Sequence, residues 1–182
     1  MSRNIILLFL SIIYNTIYSQ NEVFEQQKDL KMQDYLIVKI DSLSAEELYN
    51  KSIRWVKETY KQPDEVIKMS IENNKLRIES IIPKSYCFLG VCDDSKYIIV
   101  LSFKNGRYKF EPIEVYNYMS VLDKWIPSII KRKKEINDGD EDLRLTKKKE
   151  VVLLLNQPVK IVNDVFLSHY DYLSKKNTED DW

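Results

Sequence analysis

Apolar and polar positions alternate through the middle of this chain with the period of a strand, and recur at helical spacing on either side of it. Tyr35-Leu36-Ile37-Val38-Lys39-Ile40 reads as a first strand. Ser44-Ala45-Glu46-Glu47 then forms a capping box, in which the serine hydroxyl and the glutamate carboxylate satisfy each other's backbone amides. The helix it opens carries Tyr49, Ile53, Val56 and Tyr60 on one stripe, widened by Leu48 and Trp55, and Pro63 ends it. Two hairpins follow. Val66 to Ile71 and Lys75 to Ile82 flank Asn73-Asn74, and Lys96 to Lys104 and Arg107 to Val115 flank Asn105-Gly106, a strong type I′ turn signal. Leu76, Ile78 and Ile82 alternate with Arg77 and Glu79, so this strand has one wet face.

From Met119 the period changes to helical. Val121, Leu122, Trp125, Ile129 and Ile130 share a stripe interrupted at Pro127. A basic run, Lys131 to Lys134, meets the acidic Asp138 to Asp142. Val151 to Leu155 and then Val159, Ile161, Val162, Val165, Phe166, Tyr170 and Leu173 predict one kinked helix or two around Pro158. The pattern is that of an α+β domain, with a four- to five-stranded antiparallel sheet covered by helices on one face.

The N-terminus carries a different signal. Arg3 precedes the apolar run Ile5 to Ile13, which is too short for a span of about 20 residues. A more polar segment ends at the small Ser19. This order predicts a secretory signal peptide over 1–19, cut between Ser19 and Gln20, and an exported, periplasmic or secreted product with no remaining transmembrane span. The division that follows is a lead-in over 20–33, an α+β core over 34–118, a C-terminal helical region over 119–176 and an acidic tail over 177–182.

Composition narrows the chemistry. Lysine plus arginine and aspartate plus glutamate number 28 each. Such a balance lacks the general pull toward phosphate backbones, so nucleic acid is not an expected partner. Only Gly90, Gly106 and Gly139 are glycines. Neither a dinucleotide fingerprint nor a phosphate loop can be written with them, and no cofactor is expected.

Three stretches resemble a known family. They are Glu46-Glu47-Leu48-Tyr49-Asn50 followed by Trp55, then Asn74-Lys75-Leu76-Arg77-Ile78, and Phe103-Lys104-Asn105-Gly106-Arg107-Tyr108-Lys109-Phe110. Together they are similar to a domain of unknown function with a TATA-binding-protein-like fold, common in exported proteins of Bacteroidetes. The resemblance covers roughly Tyr35 to Tyr118 and implies the order β-α-β-β-β-β-α. It transfers no catalytic residues, and its fold name does not imply DNA binding.

Individual candidates are few. Cys87 and Cys92 are the only cysteines. If Leu89-Gly90 forms the turn, Phe88 faces Val91 and the cysteines form the next cross-strand pair, within reach of a disulfide. Free buried thiols and a redox dithiol are the alternatives, the latter weakened by the C-x4-C spacing. His169 is the only histidine and reads as a surface or edge residue, since Ser168 and Asp171 cannot face it along a helix. Asp138 to Asp142 does not fit a calcium loop: Leu143 stands where glycine is required and Lys149 where glutamate is. Lys131 to Lys134 and Lys147 to Lys149 read as solvated charge beside the acidic run.

The abundant aromatic residues either pack strand to helix or line a ligand groove, with Trp55, Tyr97 and Tyr108 as the candidate contacts. The expected role is a non-enzymatic interaction or binding domain of the cell envelope, with a protein or small molecule as partner. A carrier gripping an apolar ligand between sheet and last helix is the second reading. A hydrolase is the third, and it lacks any acid, base and nucleophile set.

Overall fold

The structure, a computed structural model, describes residues 23–25, 32–88, 90–128 and 148–175. The segment 1–19 read as a signal peptide, the charged stretch from Lys131 to Lys147 and the acidic tail lie outside the described residues. Strand β1 (Leu36–Lys39) is followed by helix α1 (Ala45–Thr59), a single helical turn α2 (Pro63–Val66) and β2 (Ile67–Ile71). Then come β3 (Lys75–Phe88), β4 (Val91–Lys104), β5 (Arg107–Met119), a 3-10 turn (Ser120–Leu122), β6 (Lys124–Pro127) and α3 (Lys148–Ser174).

The strands form one antiparallel sheet in the order β1-β5-β4-β3-β2, with β6 also paired to β5. Six strands exceed the four to five expected, and the extra one replaces a predicted helix. Val121, Leu122 and Trp125 do not continue a helical stripe. Asp123 takes a left-handed conformation at φ 50° and turns the chain back, so that Lys124 to Pro127 pair with Tyr116 to Met119. Beyond Ile82 and before Lys96, β3 and β4 also continue as strands to the hairpin at Gly90.

Local chemistry explains the element ends. The Ser44 hydroxyl accepts from the Glu47 amide, and the Glu47 carboxylate accepts from the Ser44 amide at 2.8 Å, as the capping box predicts. Helix α1 ends at Thr59, short of Pro63, which instead stands in the first turn of α2, where its missing N–H costs nothing. Gly106 (φ 74°) sits in the β4–β5 turn beside Asp41, in a backbone conformation that would strain any side chain. That turn is fastened to the start of α1: Asn105 accepts from the Ala45 amide at 2.9 Å, and the Gly106 amide donates to the Leu43 carbonyl at 2.8 Å.

Both long helices cover the same sheet face. Their apolar sides meet Leu76, Ile78, Tyr97, Ile99, Leu101, Phe103, Tyr108, Phe110 and Val115, all buried. Helix α3 is one helix with Pro158 inside it, settling the choice between one and two. Its C-terminal carbonyls receive Lys51 of α1, whose ammonium lies 3.4 Å from the Leu173 oxygen and 3.1 Å from that of Lys175. A cation at this end complements the helix dipole.

The lead-in is less loose than predicted. Phe24 is buried among Phe110 and Phe166, and the Asn163 side chain both accepts from the Phe24 amide and donates to its carbonyl.

Candidate functional site

With the helices on one face, residues of opposite parity on each strand point away from them. Ile37, Lys109, Ser102 and Lys75 form one row across four strands, and Ile71 faces Lys75 from β2. A second row holds Glu111, Val100, Arg77 and Met69, and a third Tyr116, Lys96 and Ile81. Ile37, Ile71 and Ile81 are each 50% exposed, and Met69 is 38% exposed. Among the described residues, no helix covers this face. An apolar surface laced with charge is the composition of a contact surface more than of a wet sheet face, where such positions are usually polar.

The two ends of the face differ. At the β4–β5 turn, a shallow groove of about 420 Å³ is bordered by Ile37, Lys75, Ser102, Lys104, Arg107 and Lys109. Lys109 is held by the Glu111 carboxylate at 2.7 Å. At the opposite end, the Lys96 ammonium lies 4.8 Å from the Tyr116 ring centre and 5.3 Å from that of Trp125, and 3.6 Å from the Glu79 carboxylate. Tyr118 packs on Trp125 at 5.3 Å and donates its hydroxyl hydrogen bond to Asp123. The sheet therefore presents a cationic end and an aromatic end. Lys96 and Trp125 are not legible as a pair in the sequence, because β6 is needed to bring them together.

The aromatic residues singled out from the sequence lie elsewhere. Trp55, Tyr97 and Tyr108 are each 1% exposed in the core between sheet and helices. The Trp55 indole donates to the Ser168 hydroxyl at 3.2 Å, and its ring packs edge-on to Tyr60 and His169. Tyr97 and Tyr60 share a hydrogen bond between their hydroxyls, and burial pushes both phenols above their usual range. Burial does the same to Tyr108. Their side chains pack strand to helix, the structural alternative to a ligand groove.

His169 is not a surface residue. It is fully buried, ringed by Trp55 at 4.8 Å, Tyr108 at 4.9 Å and Phe110 at 6.3 Å. The Ser52 hydroxyl donates to the Leu48 carbonyl at 2.7 Å and lies 2.8 Å from Nε2. With its proton used, that hydroxyl accepts from Nε2–H, and Nδ1 has no partner among the described residues to take a second proton's hydrogen bond. Burial drives its pKa down to about 3. Among the described residues no carboxylate touches it, and Ser52 is turned into its own helix. The pair ties α1 to α3 across the core.

Cys87 and Cys92 form a disulfide, with Cα atoms 4.1 Å apart and Phe88 facing Val91, the register expected from the sequence. Gln157 clasps this hairpin by accepting from the Cys87 amide at 3.0 Å and donating to its carbonyl at 3.1 Å. A loop so short restrains the unfolded chain little, and the hairpin stands beyond the core. We expect Cys87→Ser/Cys92→Ser to cost no more than about 2 kcal/mol in urea unfolding while speeding amide exchange in the hairpin. Global unfolding of the variant at room temperature would contradict this.

Residues 35–116 match the family described as a domain of unknown function (DUF4468) with TBP-like fold. Over this segment, 82 of the 182 residues, the chain is similar to that family. The matched segment spans β1 through most of β5, and β6 and α3 lie outside it.

The likeness in fold to solved structures extends further than that match. A crystal structure of a DUF4468 family protein from Bacteroides ovatus is similar, with a TM-score of 0.57 and 16% identity, over 84% of this chain and 91% of the other. A TBP-like protein from Parabacteroides distasonis is similar at a TM-score of 0.56 and 18% identity, over 82% and 96%. At these identities the likeness is one of fold. No curated protein matches the chain. Among the described residues, no group of three or more metal-binding side chains comes together, and no helix is long and apolar enough to cross a membrane. The disulfide is compatible with export into an oxidising compartment.

Proposed function

We propose that this protein is a non-enzymatic binding domain of the cell envelope, exported by its N-terminal signal, and that it engages its partner with the helix-free face of the sheet. The observation that carries this reading is the half-exposure of Ile37, Ile71 and Ile81 amid ordered cations on a face that nothing among the described residues covers. The carrier reading finds less support. The space between sheet and last helix, where an apolar ligand would sit, is filled by Phe24, Trp55, Tyr108, Phe110, Phe166 and His169. The hydrolase reading finds its only histidine buried and, among the described residues, without a carboxylate.

The test is a double variant, Ile37→Asp/Ile71→Asp. Because both side chains are half exposed, the variant should unfold within about 1 kcal/mol of the parent, since exposed substitutions each change stability by roughly 0.5 kcal/mol or less. Its retention on a washed envelope fraction should fall at least tenfold. Undiminished retention of a folded variant would refute the assignment of this face.

A further inference from the structure

Strand β3 is paired to β4 from Lys75 facing Ser102 to Ile82 facing Ser95 and, after an irregularity, from Tyr86 facing Asp93 to Phe88 facing Val91. On its other side it is paired only from Lys75 to Ile78, because β2 starts at Ile67. Glu79 to Ile82 therefore have a partner on one side alone among the described residues. In an antiparallel ladder every second residue directs its N–H and C=O to the far side, so this stretch offers unpaired main-chain groups. The window is bounded. β2 closes one end, and Pro83, which has no N–H, with Lys84 at φ 52°, closes the other.

This bare edge is not a flat rim. It forms one wall of a cleft of about 640 Å³ whose opposite wall is the end of α1 and the turn α2, from Thr59 to Val66. Four strand residues measure about 14 Å, so a short extended segment fits alongside. Three lysines border the cleft, Lys61, Lys68 and Lys96, against two glutamates, Glu65 and Glu79. Glu79 is already engaged by Lys96 at 3.6 Å. The remaining charge is positive.

We propose that this cleft is a peptide site, in which an extended acidic segment of a partner protein adds to β3 antiparallel, in line with β2. Main-chain hydrogen bonds to Glu79–Ile82 hold the segment, and Lys61 and Lys68 select acidic side chains. The site lies at the sheet edge and adjoins the face assigned above at Ile81 and Lys96, while Lys61 and Lys68 lie outside that face's rows.

The test uses the full chain with its disulfide and a fluorescein-labelled hexapeptide alternating glutamate and valine, read by anisotropy. Two control peptides replace glutamate by lysine or carry N-methyl groups on alternate amides. The acidic peptide should bind at least tenfold more tightly than either control and slow amide exchange within Glu79–Ile82. Lys61→Glu/Lys68→Glu should weaken it at least tenfold, while Ile37→Asp/Ile71→Asp leaves it unchanged. Absence of binding, or binding indifferent to N-methylation, would show that the lysines only guard a strand edge and would overturn the proposal. Because the two double variants change different residues, none of them the shared Ile81 or Lys96, failure here leaves the sheet-face assignment standing or falling on its own test.

Discussion

Lowering the pH from 7 to 5 will destabilise the protein by about 2 kcal/mol through His169 alone. The folded protein holds this imidazole neutral down to about pH 3, because charging it would place a cation among Trp55, Tyr108 and Phe110 without a carboxylate in contact. The unfolded chain protonates it near the ordinary value of 6.5. Below 6.5 the unfolded state therefore binds a proton that the folded state refuses. Stability from this residue is complete above 6.5 and declines as pH falls toward 3. Between pH 7 and 5 most carboxylates stay ionised, so the histidine dominates that interval. The melting temperature should drop by about 4–8 °C over it, and His169→Phe should remove most of that dependence. An unchanged pH dependence in a folded His169→Phe variant would show that His169 is not the buried neutral group described.

Trp55→Ala will cost about 3–5 kcal/mol, enough to leave the domain marginal. The indole is 1% exposed and joins α1 to α3 through Ser168 and His169. Its removal leaves a cavity at the meeting point of both helices and the sheet, and the aromatic neighbours cannot collapse into it without breaking the Ser52–His169 hydrogen bond. Urea unfolding measures the loss. Were Trp55 a surface contact for a ligand, the variant would retain its stability.

The parts of the fold that could be read from the sequence were those fixed by neighbours in the chain. The capping box at Ser44, the Asn105-Gly106 turn and the facing cysteines depend on residues within a few positions of one another, and all three stand as expected. Strand β6 was misread because Val121, Leu122 and Trp125 fit a helical stripe by chance over so short a run. Pairing with Tyr116–Met119 overrides that spacing. His169 was misread for a related reason. Its hydrogen-bond partner, Ser52, lies 117 positions away, and nothing in its own helix announces it. The abundance of aromatic residues was plain, but alternation along a strand does not say which face the helices will cover. That choice put Tyr97 and Tyr108 in the core and left Tyr116 and Trp125 beside Lys96.

The placement of the binding face is the central claim, and site-specific photocrosslinking in the envelope tests it most directly. A photoreactive residue would be placed in turn at Ile37, Ile71 and Lys109 on the sheet face, and at Lys57 and Asp164 on the exposed sides of α1 and α3. A discrete crosslinked adduct is expected from the three sheet positions and absent from the two helix positions. Adducts from Lys57 and Asp164 with none from the sheet would contradict the account.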